Sequence, residues 1–219
     1  MKKRNIFMIT IVLYIERWKG EILLDSKEIL PIHFNSYGLD GLDVLKANPI
    51  KAVEIIMNTY GNDVKKFVYT YLHNEADTDD VTQEVFVTVY LKLSTYKGKS
   101  SLKSWIYSIA ANKCKDHLRG HRLRQSKLIE RITRNSISSK LNEVPEEYLQ
   151  STIKEGLFEK VMELPIKYRE VVILYYFKEL SIKEISFILN EKEPTLQSRL
   201  SRSRSKLREL INEGGIILG

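Results

Sequence analysis

The sequence predicts an all-α protein of two small helical domains, a helical bundle and a helix-turn-helix, joined by a flexible linker. Three observations carry that prediction. Apolar residues recur at three- and four-residue spacing from Pro49 to about Leu123, and again from Ile153 to Ile211, which is the period of a helix with one buried face. Between them the period lapses into Ser136-Ile-Ser-Ser139, Asn142 and Pro145, the composition of a domain boundary. Helix-start signals stand where the periodic runs begin: Ser101, Ser181 with Glu184 three residues on, and Pro194.

The chain has 219 residues, 43% of them hydrophobic, enough for one or two domains with real cores. Its net charge of +7 suits polyanionic partners, with a basic surface kept for solubility as the plainer alternative. Position decides between them. From Lys97 to Arg134 there are 11 Lys and Arg against 2 Asp and Glu, a local excess above that of the whole chain. Cys114 is the only cysteine, so no intrachain disulfide and no cysteine-based zinc site can form, and a reducing, cytoplasmic setting fits. The sequence lacks a phosphate-binding G-x-x-x-x-G-K-[ST] loop, an H-E-x-x-H pair and a G-x-S-x-G elbow. His117 and His121 share a helix face but stand among arginines, so a DNA-facing or solvated face suits them better than a metal. No catalytic residue, metal or cofactor is expected.

Taken in order, residues 1–45 stand apart. Lys2-Lys-Arg4 precedes an apolar run from Ile6 to Ile15, too short for a membrane helix, which needs about 20 residues. An added hairpin or loosely ordered extension is expected there. A start codon set too far upstream and a membrane role are the alternatives. From Pro49, Ala52, Ile55, Ile56 and Tyr60, then Val64, Phe67, Val68, Tyr71 and Leu72, make a helical stripe that Gly61-Asn62 is expected to break in two. His73 to Asp77 reads as a loop, with Asp77 or Thr78 capping the next helix. That helix carries Asp80, Gln83 and Glu84 in its first turns. The plain role of such acids is to face the positive end of the helix dipole; docking a basic protein partner is the other.

Ser94 to Ser101 is a polar loop pivoting on Gly98, and Ser101 caps the helix after it. On that helix Leu102, Trp105, Ile106, Ile109 and Ala110 share a core-facing arc. The opposite arc holds Ser104, Ser108, Ala111, Asn112, Lys115, Arg119 and Arg122, small residues first and cations after, which lets a phosphate backbone approach before it meets charge. Tyr96, Trp105 and Tyr107, beside Lys97, can stack on unpaired bases or simply pack in the core. After the linker, Ile153 to Met162 and Tyr168 to Tyr175 form two stripes. Ser181 opens a short helix, and a turn at Asn190 leads to Pro194 at a first helical position. The last helix carries Leu196, Leu200, Leu207 and Leu210 on one side. Arg199, Arg202, Arg204, Lys206 and Arg208, interleaved with Ser198, Ser201, Ser203 and Ser205, occupy the rest. A capped short helix, a tight turn and a basic amphipathic helix make a helix-turn-helix.

These residues resemble the extracytoplasmic-function (ECF) sigma factors of bacterial RNA polymerase, within the sigma-70 family, over about Leu45 to Leu210 without most of the linker. Asp80-Val-Thr-Gln-Glu84 is similar to the D-x-x-Q-E of region 2.2. Tyr96-Lys-Gly98, Ser101 and Trp105-Ile-Tyr-Ser-Ile-Ala-Ala-Asn112 are similar to regions 2.3 and 2.4. Leu164-Pro-Ile-Lys-Tyr-Arg-Glu170, Leu180-Ser-Ile-Lys-Glu-Ile185 and Thr195 to Arg204 are similar to region 4. The resemblance implies that Asp80, Gln83 and Glu84 dock on the clamp helices of the polymerase β′ subunit. It also implies that Tyr96, Lys97, Trp105, Asn112, Lys115 and Arg119 read and hold the melted minus-10 element. Thr195, Gln197, Ser198, Ser201 and Arg202 would enter the minus-35 major groove. The linker would thread toward the RNA exit channel, with the β flap as a further contact and an anti-sigma factor as a partner of the family that no residue here specifies. Tyr96 stands where Phe is usual, Asn190 and Pro194 where Gly is common, and Gln197 where Lys or Arg is usual.

The expected division is therefore an extension (1–45), region 2 (46–123), a linker (124–152) and region 4 (153–213), in a protein that directs promoter-specific initiation by binding and performs no covalent chemistry. One rival is a dimeric helix-turn-helix regulator acting alone, which would leave the stretch from Asp77 to Arg124 idle. The other is a metal-dependent nucleic-acid enzyme built on Asp79, Asp80 and Glu84, which lacks a second carboxylate cluster.

Overall fold

A computed structural model describes residues 48–129 and 152–213, with side chains over 48–122 and 157–212. The expectations for residues 1–45 lie outside these residues. Every regular element among the described residues is helical.

Helix α1 spans Pro49–Leu72. The Asn48 side chain caps it by accepting from the Lys51 N–H at 3.3 Å. His73 ends it in the left-handed region, φ 53°. The expected break at Gly61 does not occur. Gly61 is buried in mid-helix, so its missing Cβ serves close packing, and the intrinsic cost of about 1 kcal/mol for glycine is offset by the buried stripe of Ile56, Val64, Phe67 and Val68. Helix α2 is Glu75–Lys92, followed by a single 3-10 turn over Leu93–Thr95. Its cap is Asn74, accepting from the Asp77 N–H at 2.9 Å, one turn before the expected Asp77 or Thr78. Thr78 is fully buried and so belongs to the helix interior.

Helix α3 runs Leu102–Ile129, well past the expected start of the linker at 124. Ser101 caps it as expected, its hydroxyl accepting from the Ser104 N–H at 3.1 Å. The aromatic centre of this half is Phe67, whose ring meets those of Tyr71 and Tyr107 edge-on at 5.3 and 5.0 Å.

The second half begins with α4, Thr152–Glu163, and α5, Ile166–Val172. The helix then widens through one π turn at Ile173–Phe177 and closes at Glu179, φ 55°. Helix α6 is Ile182–Leu189, with the expected capping box in place: Ser181 accepts from the Glu184 N–H, and Glu184 accepts from the Ser181 N–H. Asn190 adopts φ 53°, which Asn tolerates better than most residues. Helix α7 is Glu193–Glu213, so Pro194 is its second residue. Leu196 and Leu200 are buried against Val171, Leu174, Ile185 and Ile188.

The two halves pack on each other, chiefly through α3 against α6. Ser104 and Ala111, expected on the outer arc of α3, are fully buried because the second half covers that arc. Ser104 Oγ donates to Glu184 Oε1 at 3.3 Å. Arg169 crosses from α5: its Nη1 donates to the Thr70 carbonyl at 2.6 Å and its Nε and Nη2 to the Leu164 carbonyl at 3.1 and 2.7 Å. It also meets the His73 ring. Burial lowers the guanidinium to a pKa of about 10, so it remains charged at neutral pH. Burial first, and the Arg169 charge second, lower His73 from 6.5 to about 4.

A depressed histidine makes stability depend on acid in a definite direction. Between about 6.5 and about 4 the unfolded chain takes up a proton that folded His73 refuses, so the stability His73 contributes is full above this window and is lost as pH falls through it. Asn fits the left-handed backbone at this position. The variant His73→Asn should therefore lose less melting temperature than wild type between pH 7 and pH 4.5. Parallel melting curves across that range would show that His73 is not held neutral.

Candidate polymerase and nucleic-acid interfaces

The acidic face belongs to α2. Asp80 is exposed, Gln83 is half-buried and Glu84 is exposed, so the three are available along one side of the first turns. Glu84 and the neighbouring Asp77 and Asp79 are less free than their sequence suggests. Glu84 pairs with Lys113 at 3.0 Å, Asp79 with Lys65 at 3.1 Å, and Asp77 with His117 at 3.7 Å. Lys65, Lys113 and His117 come from α1 and α3, and no spacing rule links them to α2. The open pairs are worth little to stability; their effect is to leave Asp80 as the carboxylate that dominates this face.

The loop between the 3-10 turn and α3 is built around Tyr96. Its ring is buried, and its hydroxyl donates to the Ser100 carbonyl at 2.6 Å, closing the loop. Gly98, at φ 68°, supplies the left-handed turn that residues with a Cβ resist. Trp105 is half-buried and lies 4.9 Å from the Tyr96 ring, with the planes at 34°. The pair thus forms one aromatic step with Tyr96 beneath and Trp105 at the rim. Lys97, Asn112 and Arg119 are exposed, and Arg119 Nη1 lies 3.0 Å from Asp116 Oδ1. Lys115 is placed differently: it is half-buried and pairs with Glu170 of α5 at 3.3 Å. Tyr107 is no stacking surface. It is fully buried against Phe67, and burial pushes its hydroxyl well above the usual tyrosine range.

On α7, Gln197, Ser198, Ser201 and Arg202 are exposed and Thr195 is half-buried. Thr195, Ser198 and Arg202 line an open cleft of about 440 Å³ with Lys167, Tyr168, Pro194 and Arg199. Lys167 is a residue that sequence reasoning missed. Its ammonium lies 5.0 Å from the Tyr168 ring centroid and adds a cation beside the start of α7, where the backbone N–H groups already favour an anion. Ser203, counted among the interleaved surface serines, is instead fully buried, donating to the Arg199 carbonyl at 2.7 Å. Arg199 is likewise tied inward, to Glu191 at 2.7 Å and Glu170 at 3.4 Å.

Among the described residues no group of three or more His, Cys, Asp or Glu is placed to hold a metal, and no helix is long and apolar enough to cross a membrane.

A capped helix-turn-helix behind a three-helix bundle with an acidic face and an aromatic-basic loop can be compared with known proteins. Residues 56–124 match the model of Sigma-70 region 2, and residues 155–207 that of Sigma-70, region 4. The ECF RNA polymerase sigma factor SigM of Bacillus subtilis is 33% identical over 165 residues, covering 74% of this chain and 96% of the relative. The chain belongs to the sigma-70 family, as an ECF sigma factor. The ECF RNA polymerase sigma factor SigW of the same organism is 28% identical over 164 residues, covering 72% of this chain and 88% of the relative. Among solved structures, the sigma factor RpoE in complex with the anti-sigma factor NepR, from Bartonella quintana, shares the fold at 19% identity. Its TM-score is 0.58 over 73% of this chain and 96% of that one. CnrH in complex with the cytosolic domain of CnrY shares it at 20% identity, with a TM-score of 0.54 over 78% of this chain and 94% of that one.

As a sigma factor the protein binds core RNA polymerase and promoter DNA and directs promoter-specific initiation. Exposed cations stand on both halves, Lys97 and Arg119 on the first and Arg202 on the second. The same geometry separates support from contact at the aromatic step. The Tyr107 hydroxyl has no protein partner among the described residues, and a buried hydroxyl left unpaired costs about 1–3 kcal/mol. Tyr107→Phe should therefore keep or raise the melting temperature and leave promoter opening intact. A drop in either would place the hydroxyl in a contact of its own.

Proposed function

We propose that this sigma factor divides its work as region 2 over residues 46–123 and region 4 over 153–213, joined through 124–152. Asp80, Gln83 and Glu84 form the polymerase-docking face, on the β′ clamp helices. Lys97, Asn112 and Arg119, with Trp105 at the rim of the aromatic step and Tyr96 supporting it, hold the melted minus-10 strand, and Lys115 joins them. Thr195, Gln197, Ser198, Ser201 and Arg202 enter the minus-35 major groove. The single observation that carries this division is the α6–α7 unit. A capped short helix and a left-handed Asn190 turn present Gln197, Ser198, Ser201 and Arg202 as exposed polar and cationic side chains on α7, the geometry of a recognition helix.

The protein acts by binding in the cytoplasm and catalyses no reaction of its own. Its partners are core polymerase, through the clamp helices and the β flap, and promoter DNA. An anti-sigma factor is a further partner, as in the RpoE complex whose fold it shares.

Two tests follow. Reversing charge at the exposed acids, Asp80→Arg with Glu84→Arg, should abolish core-dependent transcription in vitro while leaving the melting temperature within a few degrees; unchanged transcription would remove the docking assignment. On DNA the two surfaces should behave differently. Arg202→Ala should cost about 1–3 kcal/mol and relax base preference at its position in the minus-35 element. Arg119→Ala should weaken all promoters about equally and lower the salt slope by about 1. Altered base preference in Arg119→Ala would reverse the sorting.

A further inference from the structure

Between Thr195 and Arg204, α7 carries four side chains able to make two hydrogen bonds to one base edge: Gln197, Arg199, Arg202 and Arg204. The fold engages two of them elsewhere. Arg199 Nη1 lies 3.4 Å from Glu170 Oε1, and its Nη2 lies 2.7 Å from Glu191 Oε1. Arg204 Nε donates to the Tyr176 hydroxyl at 3.0 Å. Gln197 and Arg202 are exposed and have no hydrogen-bond or ion-pair partner among the described residues.

Their places on the helix are complementary. At about 100° per residue, Ser198 and Ser201 lie opposite the buried Leu196 and Leu200, at the crest of the exposed arc. Gln197 and Arg202 flank that crest, each about 70° from its middle, and stand about 7.5 Å apart along the axis. Serines are small, so a crest made of them lets the helix settle deep in a major groove and brings the longer flanking side chains level with base edges. Both lie in the first half of α7, the part of a recognition helix that meets bases.

The two side chains suit different bases. Arg202 has donors only, which match the paired acceptors O6 and N7 of guanine. The Gln197 carboxamide has an acceptor, Oε1, beside a donor, Nε2. In the major groove only adenine offers the matching pair, the N6 amino donor next to the N7 acceptor. Against guanine, Oε1 would face another acceptor. Against thymine, Nε2 would find O4 but Oε1 would meet the methyl group. A lysine or arginine at this position would match guanine; the carboxamide does not.

We infer that Gln197 is a specificity-determining residue, and that the minus-35 element this sigma factor selects carries an adenine held by the Gln197 carboxamide through N6 and N7. The inference rests on α7 being the minus-35 recognition helix and adds to that reading the identity of one base. Arg202, on the other flank of the crest, reads a separate position.

Selection from a promoter library tests this. The full-length protein, reconstituted with core polymerase, is offered promoter fragments randomised across the minus-35 region and constant elsewhere, and the bound fragments are sequenced. Wild type should prefer adenine at one position by about tenfold over the other bases. Gln197→Ala should lose that preference and keep the rest of the profile, and Gln197→Arg should turn the same position from adenine to guanine. Alanine and arginine are strong helix formers and the site is exposed, so both variants keep the fold, which circular dichroism checks. A wild-type profile in Gln197→Ala overturns the inference, provided Arg202→Ala alters a different position in the same library. An equal loss on all fragments in Gln197→Ala also overturns it, since that is the mark of a phosphate contact, and so does adenine retained by Gln197→Arg. If neither Gln197→Ala nor Arg202→Ala alters the profile, the assignment of α7 to the minus-35 element has itself failed, and the inference falls with it.

Discussion

The carboxylate of Glu170 is the group on which the arrangement of this molecule turns. A carboxylate buried this deeply is tolerable only when opposite charge and hydrogen-bond donors surround it. Here they come from three directions: Tyr71 from α1, Lys115 from α3 and Arg199 from α7. Burial and the nearby Glu170 charge together push the Tyr71 hydroxyl well above its usual range, so the phenol stays protonated and keeps donating. Beside it, Arg169 satisfies backbone carbonyls on both sides of the divide. The junction between the halves thus combines a polar network whose partners are matched with apolar packing, Tyr69 against Met162 among it, the buried side chains of both halves forming one continuous cluster.

That chemistry suits a protein whose halves work apart. Ion pairs with partly exposed partners, such as Asp63 with Lys178, can exchange for water or for another surface at modest cost. The three-helix bundle and the helix-turn-helix unit each keep their own buried stripe, so separation would leave each with an apolar core.

Much of the chain was legible from its residues. The capping box at Ser181 and Glu184, the left-handed Asn190 and the Ser101 cap were all readable, because each involves residues three or four apart on one segment. Gly61 was misread for the opposite reason. Its intrinsic preference argued for a break, and its burial against packed neighbours, a fact of three dimensions, overrode it. Ser104, Ala111 and Ser203 were misassigned to outer faces because the wheel shows where a side chain points but not what arrives to cover it. The aromatic residues divided along the same line: Tyr96 and Trp105 form a step at the rim, whereas Tyr107 lies wholly inside.

By itself the sequence determined the helical class, the two modules, the order of the acidic, aromatic and basic segments and, through its motifs, the sigma-70 family. All of these are written in spacing along one strand of chain, where local geometry converts residue type directly into shape. Only the tertiary structure decided which charges are free. Lys113 and Lys65 take up Glu84 and Asp79, and one buried carboxylate claims Lys115 and Arg199. Electrostatic pairing depends on distances of a few ångströms between residues up to about a hundred positions apart, and no periodicity in the chain encodes those.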